Sequence, residues 1–176
     1  MRLNLREIIE IPGGSVPFSQ ELDTALLDFP SVRAYTAPIT AEGKVVNTAG
    51  ILTLQGRLHA EMLCVCDRCG AEFPRTVDLD LHADITADAQ DDDPEVFTLD
   101  GDWLDVDEVL STCFILSMDT KCLCRPDCAG LCDRCGANLN LGPCRCQKPR
   151  DPRMAVLEQL LDNKTDEEEE AAHNSD

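Results

Sequence analysis

The sequence predicts an α+β protein: an antiparallel β-sheet domain, a connecting helix, and a C-terminal cysteine-rich module followed by a short helix. Three observations carry this reading. Leu52, Leu54, Leu58, Ala60, Met62 and Cys64 alternate with Thr53, Gln55, Arg57, His59 and Glu61, and Val77, Leu79, Leu81, Ala83 and Ile85 alternate with Asp78, Asp80, His82 and Asp84. A period of two marks a strand with one buried face. Over residues 106–118 the apolar side chains Val109, Leu110, Cys113, Phe114 and Leu116 or Met118 recur at spacings of three and four, as on one side of a helix. Finally, seven cysteines fall within twenty-five residues, at 122, 124, 128, 132, 135, 144 and 146.

From the N-terminus, Asn4 and Glu7 stand at capping-box spacing ahead of Ile8 and Ile9, which predicts a short helical turn ended by Pro12-Gly13-Gly14. Residues 15–27 read equally as a strand or a short helix, closed by Phe29-Pro30. Residues 32–46 read as a strand, a turn near Glu42-Gly43-Lys44 and a second strand. The two alternating stretches flank Cys66-Asp67-Arg68-Cys69-Gly70, which places that tight turn at the tip of an antiparallel hairpin. Residues 88–94 form an acidic loop, and residues 95–106 hold two short strands around Asp100-Gly101. Asp107 and Glu108 favour the start of the next helix through its dipole.

After Cys146, Asp151 as N-cap and Pro152 at the first helical position open a helix over residues 152–161, with Ala155, Val156, Leu157, Leu160 and Leu161 on its apolar side. Beyond Asn163 the chain is acidic and poor in hydrophobic residues, the composition of a disordered segment. The expected organisation is a sheet domain with the first Cys-x-x-Cys and an acidic middle over 1–120, a cysteine-rich module and terminal helix over 121–162, and a disordered acidic tail over 163–176.

The net charge of −19 is unevenly spread. Residues 76–120 contain fourteen Asp or Glu and no Lys or Arg, residues 166–170 are unbroken acid, and residues 121–153 carry seven bases against three acids. A nucleic-acid binder sets Lys and Arg against phosphates, so most of this chain repels RNA. The expected partner is a basic protein, with little affinity for naked RNA. No eighteen uncharged apolar residues run together and the first residues hold no signal-peptide core, which predicts a soluble, cytoplasmic protein with no membrane contact.

Eleven cysteines in a reducing compartment point to metal rather than to a disulfide framework. The hexapeptide Cys-Asp-Arg-Cys-Gly-Ala occurs twice, at 66–71 and at 132–137. Two thiolates two residues apart on one tight turn form a zinc knuckle, and the following glycine suits a backbone that folds back towards the second sulfur. The preferred assignment gives one zinc ion to Cys132, Cys135, Cys144 and Cys146 and a second to Cys66, Cys69, Cys124 and Cys128, leaving Cys64, Cys113 and Cys122 over. A ribbon that joins both knuckles around one ion, with a looser set at Cys124, Cys128, Cys144 and Cys146, remains open. The histidines at 59, 82 and 173 form no ligand set, and no phosphate loop, catalytic triad or dinucleotide fingerprint occurs. The cysteine spacing at 128, 132 and 135 formally matches a radical-enzyme cluster motif, but no repeated strand and helix surrounds it.

Leu123-Cys124, Asp127-Cys128, Gly130-Leu131-Cys132, Cys135-Gly136, Asn138-Leu139-Asn140, Cys144, Cys146 and Asp151-Pro152-Arg153, together with Cys66-x-Arg68-Cys69 after a long alternating strand, resemble the YceD family of large ribosomal RNA subunit accumulation proteins. The resemblance covers residues 50–162. It implies a non-enzymatic role in accumulation or processing of 23S ribosomal RNA and in assembly of the large subunit, and makes the expected basic partner a ribosomal protein of the large subunit or a pre-large-subunit particle. The competing readings are a zinc-thiolate or dithiol redox protein and a general acidic chaperone for basic proteins.

Overall fold

The computed structural model describes residues 1–86 and 96–146. The expected acidic loop over 88–94, the terminal helix over 152–161 and the acidic tail lie outside the described residues.

The two alternating stretches form the spine. Strand β5 (Ile51–Val65) and strand β6 (Glu72–Thr86) pair antiparallel from Leu52↔Ile85 to Val65↔Glu72, with the first CDRCG turn at the tip as expected. Leu52, Leu54, Leu58, Ala60, Met62 and Cys64 are buried on one face of β5, as are Leu81, Ala83 and Ile85 on β6. Towards the tip, Val77 and Leu79 are only half-buried. Strands β2 (Ser15–Leu22) and β4 (Ile39–Thr48) extend the sheet beyond β5, and β7 (Val96–Thr98) lies beside β6. All these pairings are antiparallel except β6 with β7, which is parallel and departs from the purely antiparallel sheet expected. Strands β1 (Arg2–Asn4) and β8 (Trp103–Asp105) form a separate antiparallel ribbon. Two short strands do flank Asp100-Gly101, then, but each pairs mainly with a distant segment.

Residues 32–46 differ from the expected strand, turn and strand. Strand β3 (Val32–Tyr35) and β4 both run antiparallel to β5 along one of its edges, β3 opposite Met62, Leu63 and Cys64 and β4 opposite residues 51–59. The break falls at Thr36-Ala37-Pro38, and Glu42-Gly43-Lys44 lies inside β4. Gly43 serves close approach instead of a turn. It faces Gly56, and a Cβ there would come within 2.2 Å of the Gln55 carbonyl oxygen and 2.7 Å of the Gly56 Cα, with Cζ of the Phe18 ring at 2.9 Å.

The ambiguous stretch 15–27 is β2 followed by a 3-10 turn at Thr24–Leu26, where the Asp23 side chain accepts from the Ala25 N–H. Helix α1 (Arg6–Ile9) is the expected N-terminal turn, without the capping box: Asn4 Oδ1 accepts from the Arg6 N–H at 3.0 Å, and no side chain caps the Leu5 position. Helix α2 (Val106–Ser117) starts at Asp105, whose carboxylate accepts from the Asp107 N–H. It buries Val106, Val109, Leu110 and Phe114, and Phe114 meets Phe29 edge to face at 5.9 Å. Met118 packs on this core, whereas Leu116 points outward with 62% exposure. No helix among the described residues is long and apolar enough to cross a membrane.

Candidate metal centres

The repeated hexapeptide folds twice into the same turn. The Cys66 N–H donates to the Ala71 carbonyl at 2.9 Å and the Gly70 N–H to the Cys66 carbonyl at 2.8 Å; the matching bonds at Cys132–Ala137 and Gly136–Cys132 measure 2.8 and 2.9 Å. Gly70 and Gly136 have φ of 67° and 68°, left-handed values that an L side chain resists. The same six residues therefore give the same turn in both places.

What differs is the supply of the remaining sulfurs. The first turn rides on the β5–β6 hairpin and meets the chain that leaves α2. Asp67 fixes that meeting: its N–H donates to the Cys122 carbonyl at 2.9 Å, and its carboxylate accepts from the Cys122 N–H at 2.6 Å. Arg68 continues it, with Nη1 donating to the Cys128 carbonyl at 3.0 Å and its own carbonyl accepting from the Leu131 N–H at 3.1 Å. Cys124 and Cys128 are thereby set opposite Cys66 and Cys69. The second turn takes its partners from the same short segment, at Cys144 and Cys146.

In each group, Cys66, Cys69, Cys124 and Cys128 or Cys132, Cys135, Cys144 and Cys146, the four Sγ atoms lie within 4.8 Å of one another. The two CDRCG turns thus belong to separate clusters and do not face one another across one site. The Sγ separations are 3.8 Å for Cys66–Cys128 and for Cys69–Cys124, and 3.4 Å for Cys132–Cys144. Thiolates at about 2.3 Å from a tetrahedral ion lie about 3.8 Å apart, whereas a disulfide needs about 2.05 Å. All the cysteines of the chain, which lie among the described residues, are free. The donor sets fit a closed tetrahedral ion.

The electrostatics agree with ligation. Burial works against a Cys66 thiolate, but the backbone N–H groups of Cys124, Cys69 and Arg68 outweigh it and bring the thiol down to about 6. The Cys135 and Arg134 N–H groups, with the Cys144 thiol, bring Cys132 down to about 7. Cys128 is also lowered, chiefly by the Asn140 amide. Cys124 is pushed up to about 12 by burial and by Cys66, Cys128 and Cys69, and Cys146 to about 12 by Cys135, burial and Cys132. The turns stabilise the first negative charges in each cluster, and mutual repulsion resists the last unless a cation is present.

The surplus cysteines have ordinary surroundings. Cys64 is fully buried, with its thiol pushed up to about 11 by burial and by its hydrogen bond with Cys122. Arg75 bridges Cys122 Sγ at 3.7 Å and the Asp119 carboxylate at 2.6 Å. Cys113 is half-buried on α2 and raised by burial. His59, taken as a surface residue, bonds Asp78 at 2.6 Å, which raises its pKa.

Several of the acids in the base-free stretch 76–120 meet bases in space: Asp80 with Arg57 at 3.2 Å, Asp100 with Arg2 at 3.1 Å and Asp102 with Arg6 at 4.0 Å. Asp84 remains exposed, with Thr53 Oγ1 at 3.4 Å. The acidic surface is therefore patchier than its sequence.

Sequence reasoning missed the roles of Asp67, Arg68 and Asn140. Asp and Arg occur in both hexapeptides, so nothing local tells which copy uses them. Asn140 stood out only within the Asn138-Leu139-Asn140 stretch.

The model of the family described as large ribosomal RNA subunit accumulation protein YceD matches residues 54–161. Uncharacterized proteins of Mycobacterium tuberculosis and Mycobacterium bovis are each 28% identical over 122 residues, 66% of this chain and 58% of theirs. The large ribosomal RNA subunit accumulation protein YCED homolog 1, chloroplastic, of Zea mays is 24% identical over 147 residues, 65% of this chain and 50% of its own length. The chain thus spans little more than half the length of the curated relatives it matches. No solved structure matches it.

Proposed function

The chain belongs to the YceD family, and from that premise we propose that it is a non-catalytic factor in large ribosomal subunit biogenesis that supports 23S ribosomal RNA accumulation, with zinc as the structural metal of both clusters. The observation that carries this is the family match over residues 54–161, which takes in both cysteine clusters whole. Four thiolates per ion close the coordination sphere and leave no position for a substrate, the arrangement of a structural rather than a catalytic zinc. With a net charge of −19, the fitting partner is a basic ribosomal protein, met in the cytoplasm where subunits assemble, and long-range attraction would steer it.

A dithiol redox role would draw on the lowered Cys66 thiol. Against it, Cys66 is only 2% exposed and the N–H groups that lower it serve a metal equally well.

Deletion of the protein tests the proposal. The expected result is less mature 23S RNA and fewer large subunits on sucrose gradients, with small subunits affected less and the defect restored by the wild-type chain. Normal 23S levels and a normal gradient profile in a clean deletion would overturn it.

A further inference from the structure

Asn140 ties one cysteine cluster to the other. Its Nδ2 donates to Cys128 Sγ at 3.3 Å and to Asn138 Oδ1 at 2.9 Å, while its Oδ1 accepts from the Ala129 N–H at 2.8 Å and from Arg125 Nη2 at 2.7 Å. Cys128 belongs to the first cluster and is 2% exposed. Asn140, by contrast, sits between Cys135 and Cys144, the two halves of the second. Its loop is joined to the strand-like segment before it by the Leu131↔Asn138 bridge and by the Leu139 N–H to the Gly130 carbonyl at 2.9 Å. From Leu131 to Cys146 only Cys132 is buried. With no apolar core of its own, this segment keeps its shape through its four sulfurs, and with them the position of Asn140.

We infer that Asn140 is a positioning residue that couples the two metal centres: occupancy of Cys132, Cys135, Cys144 and Cys146 tightens the hold of Cys66, Cys69, Cys124 and Cys128 on their ion. This rests on the zinc reading above. An N–H donated to a ligating thiolate stabilises its charge and fixes the direction in which the sulfur points. When the second cluster empties, its loop loosens, the donor leaves Cys128, and the first ion is held less firmly. Hydrogen-bond partners of metal ligands are typically worth about 10–100-fold in metal affinity.

The test is zinc affinity at the first cluster, measured by chelator competition on the full chain. It compares wild type, Asn140→Asp, the double variant Cys135→Ser/Cys146→Ser, and the combination of all three changes. Asn140→Asp keeps the oxygen that Ala129 and Arg125 use but replaces the donor facing Cys128 with an acceptor. Asn140→Asp and the double variant should each weaken the first site about tenfold, and the combination should be no weaker than the double variant. In cobalt-loaded protein, the thiolate-to-cobalt charge-transfer band of the first site should shift in Asn140→Asp, while amide protection of β5 and β6 stays as in wild type. Asn140→Ala, which removes donor and acceptor together, should lose at least as much affinity. An unchanged first-site affinity and band in Asn140→Asp, or losses that simply multiply in the combination, would overturn the coupling. Wild-type protein that binds no metal at either cluster would instead sink the zinc reading itself.

Discussion

Asp67 holds Cys122 from two directions, donating its N–H to the Cys122 carbonyl and accepting the Cys122 N–H on its carboxylate at 2.6 Å. Asp133, its counterpart in the second hexapeptide, instead has the Cys132 thiol as a neighbour at 3.7 Å. One residue in two copies of one turn therefore does two jobs, and only the first joins the hairpin tip to the chain leaving α2.

Replacing these two aspartates by alanine separates the jobs. Asp67→Ala removes a hydrogen bond to a charged group and should cost about 1.5–3 kcal/mol in denaturant unfolding of the metal-loaded protein. Asp133→Ala should cost within about 0.5 kcal/mol. Equal losses would mean that the Asp67–Cys122 contact is not a principal joint.

Metal content should be two zinc ions per chain, one for each cluster. Cys66→Ser and Cys132→Ser should each abolish binding at their own cluster. Structural zinc supplies on the order of 10 kcal/mol or more of folding free energy in small modules, so chelation should strip amide protection from residues 122–146 while the hairpin, with its own buried face, keeps it. Elemental analysis with hydrogen exchange checks both, and a metal-free module that stays protected would contradict the prediction.

Gly43→Ala should be among the most damaging substitutions in the sheet. The added Cβ meets backbone on two sides, the Gln55 carbonyl and the Gly56 Cα, which cannot swing away. A loss of about 1–3 kcal/mol is expected from overpacking. Gly70→Ala meets no atom within 4 Å and should cost about 1 kcal/mol from its positive φ alone. Thermal unfolding of the two variants orders them.

Phe114→Ala should cost about 3–5 kcal/mol, the usual penalty for emptying a large aromatic site. Phe114 is fully buried where α2 meets Phe29. The midpoint of urea unfolding should fall with little change in slope.

Changing Asp78, Asp80 and Asp84 together to Asn should weaken binding of a basic large-subunit protein and flatten its salt dependence, leaving zinc content unchanged. These three lie on the exposed side of β6, and screening limits such attraction to about 8 Å at physiological salt. Tight binding of protein-free 23S RNA, unaffected by the changes, would contradict the expected partner class.

The hairpin was legible because its signal is local and redundant: eleven apolar positions repeat one period on both sides of a turn whose hexapeptide takes the same shape in both its copies. The two CDRCG turns were legible for the same reason, down to the glycine that closes each. Gly43 was misread as part of a turn because a glycine admitted for close approach and one admitted for positive φ look alike in a sequence. Only its partner Gly56, thirteen residues later, tells them apart. The β1–β8 ribbon and the parallel β6–β7 pair join segments whose own patterns name no partner. Asn140 was invisible as a positioning residue because its function depends on Cys128, which spacing assigns to a different cluster.

The two clusters also differ in when they can be completed. Cys66 and Cys128 are 62 residues apart, whereas Cys132 and Cys144 are only 12 apart. At synthesis rates of about 5–20 residues per second, the first cluster waits about 3–12 s for its fourth sulfur, and the second is complete within about 3 s of its first. A hairpin forms in about 1–10 μs, so once β6 has been made the nascent chain presents a finished turn with two thiols and no partners. Those two thiols stay unmatched until the segment after α2, which carries Cys124 and Cys128, leaves the ribosome.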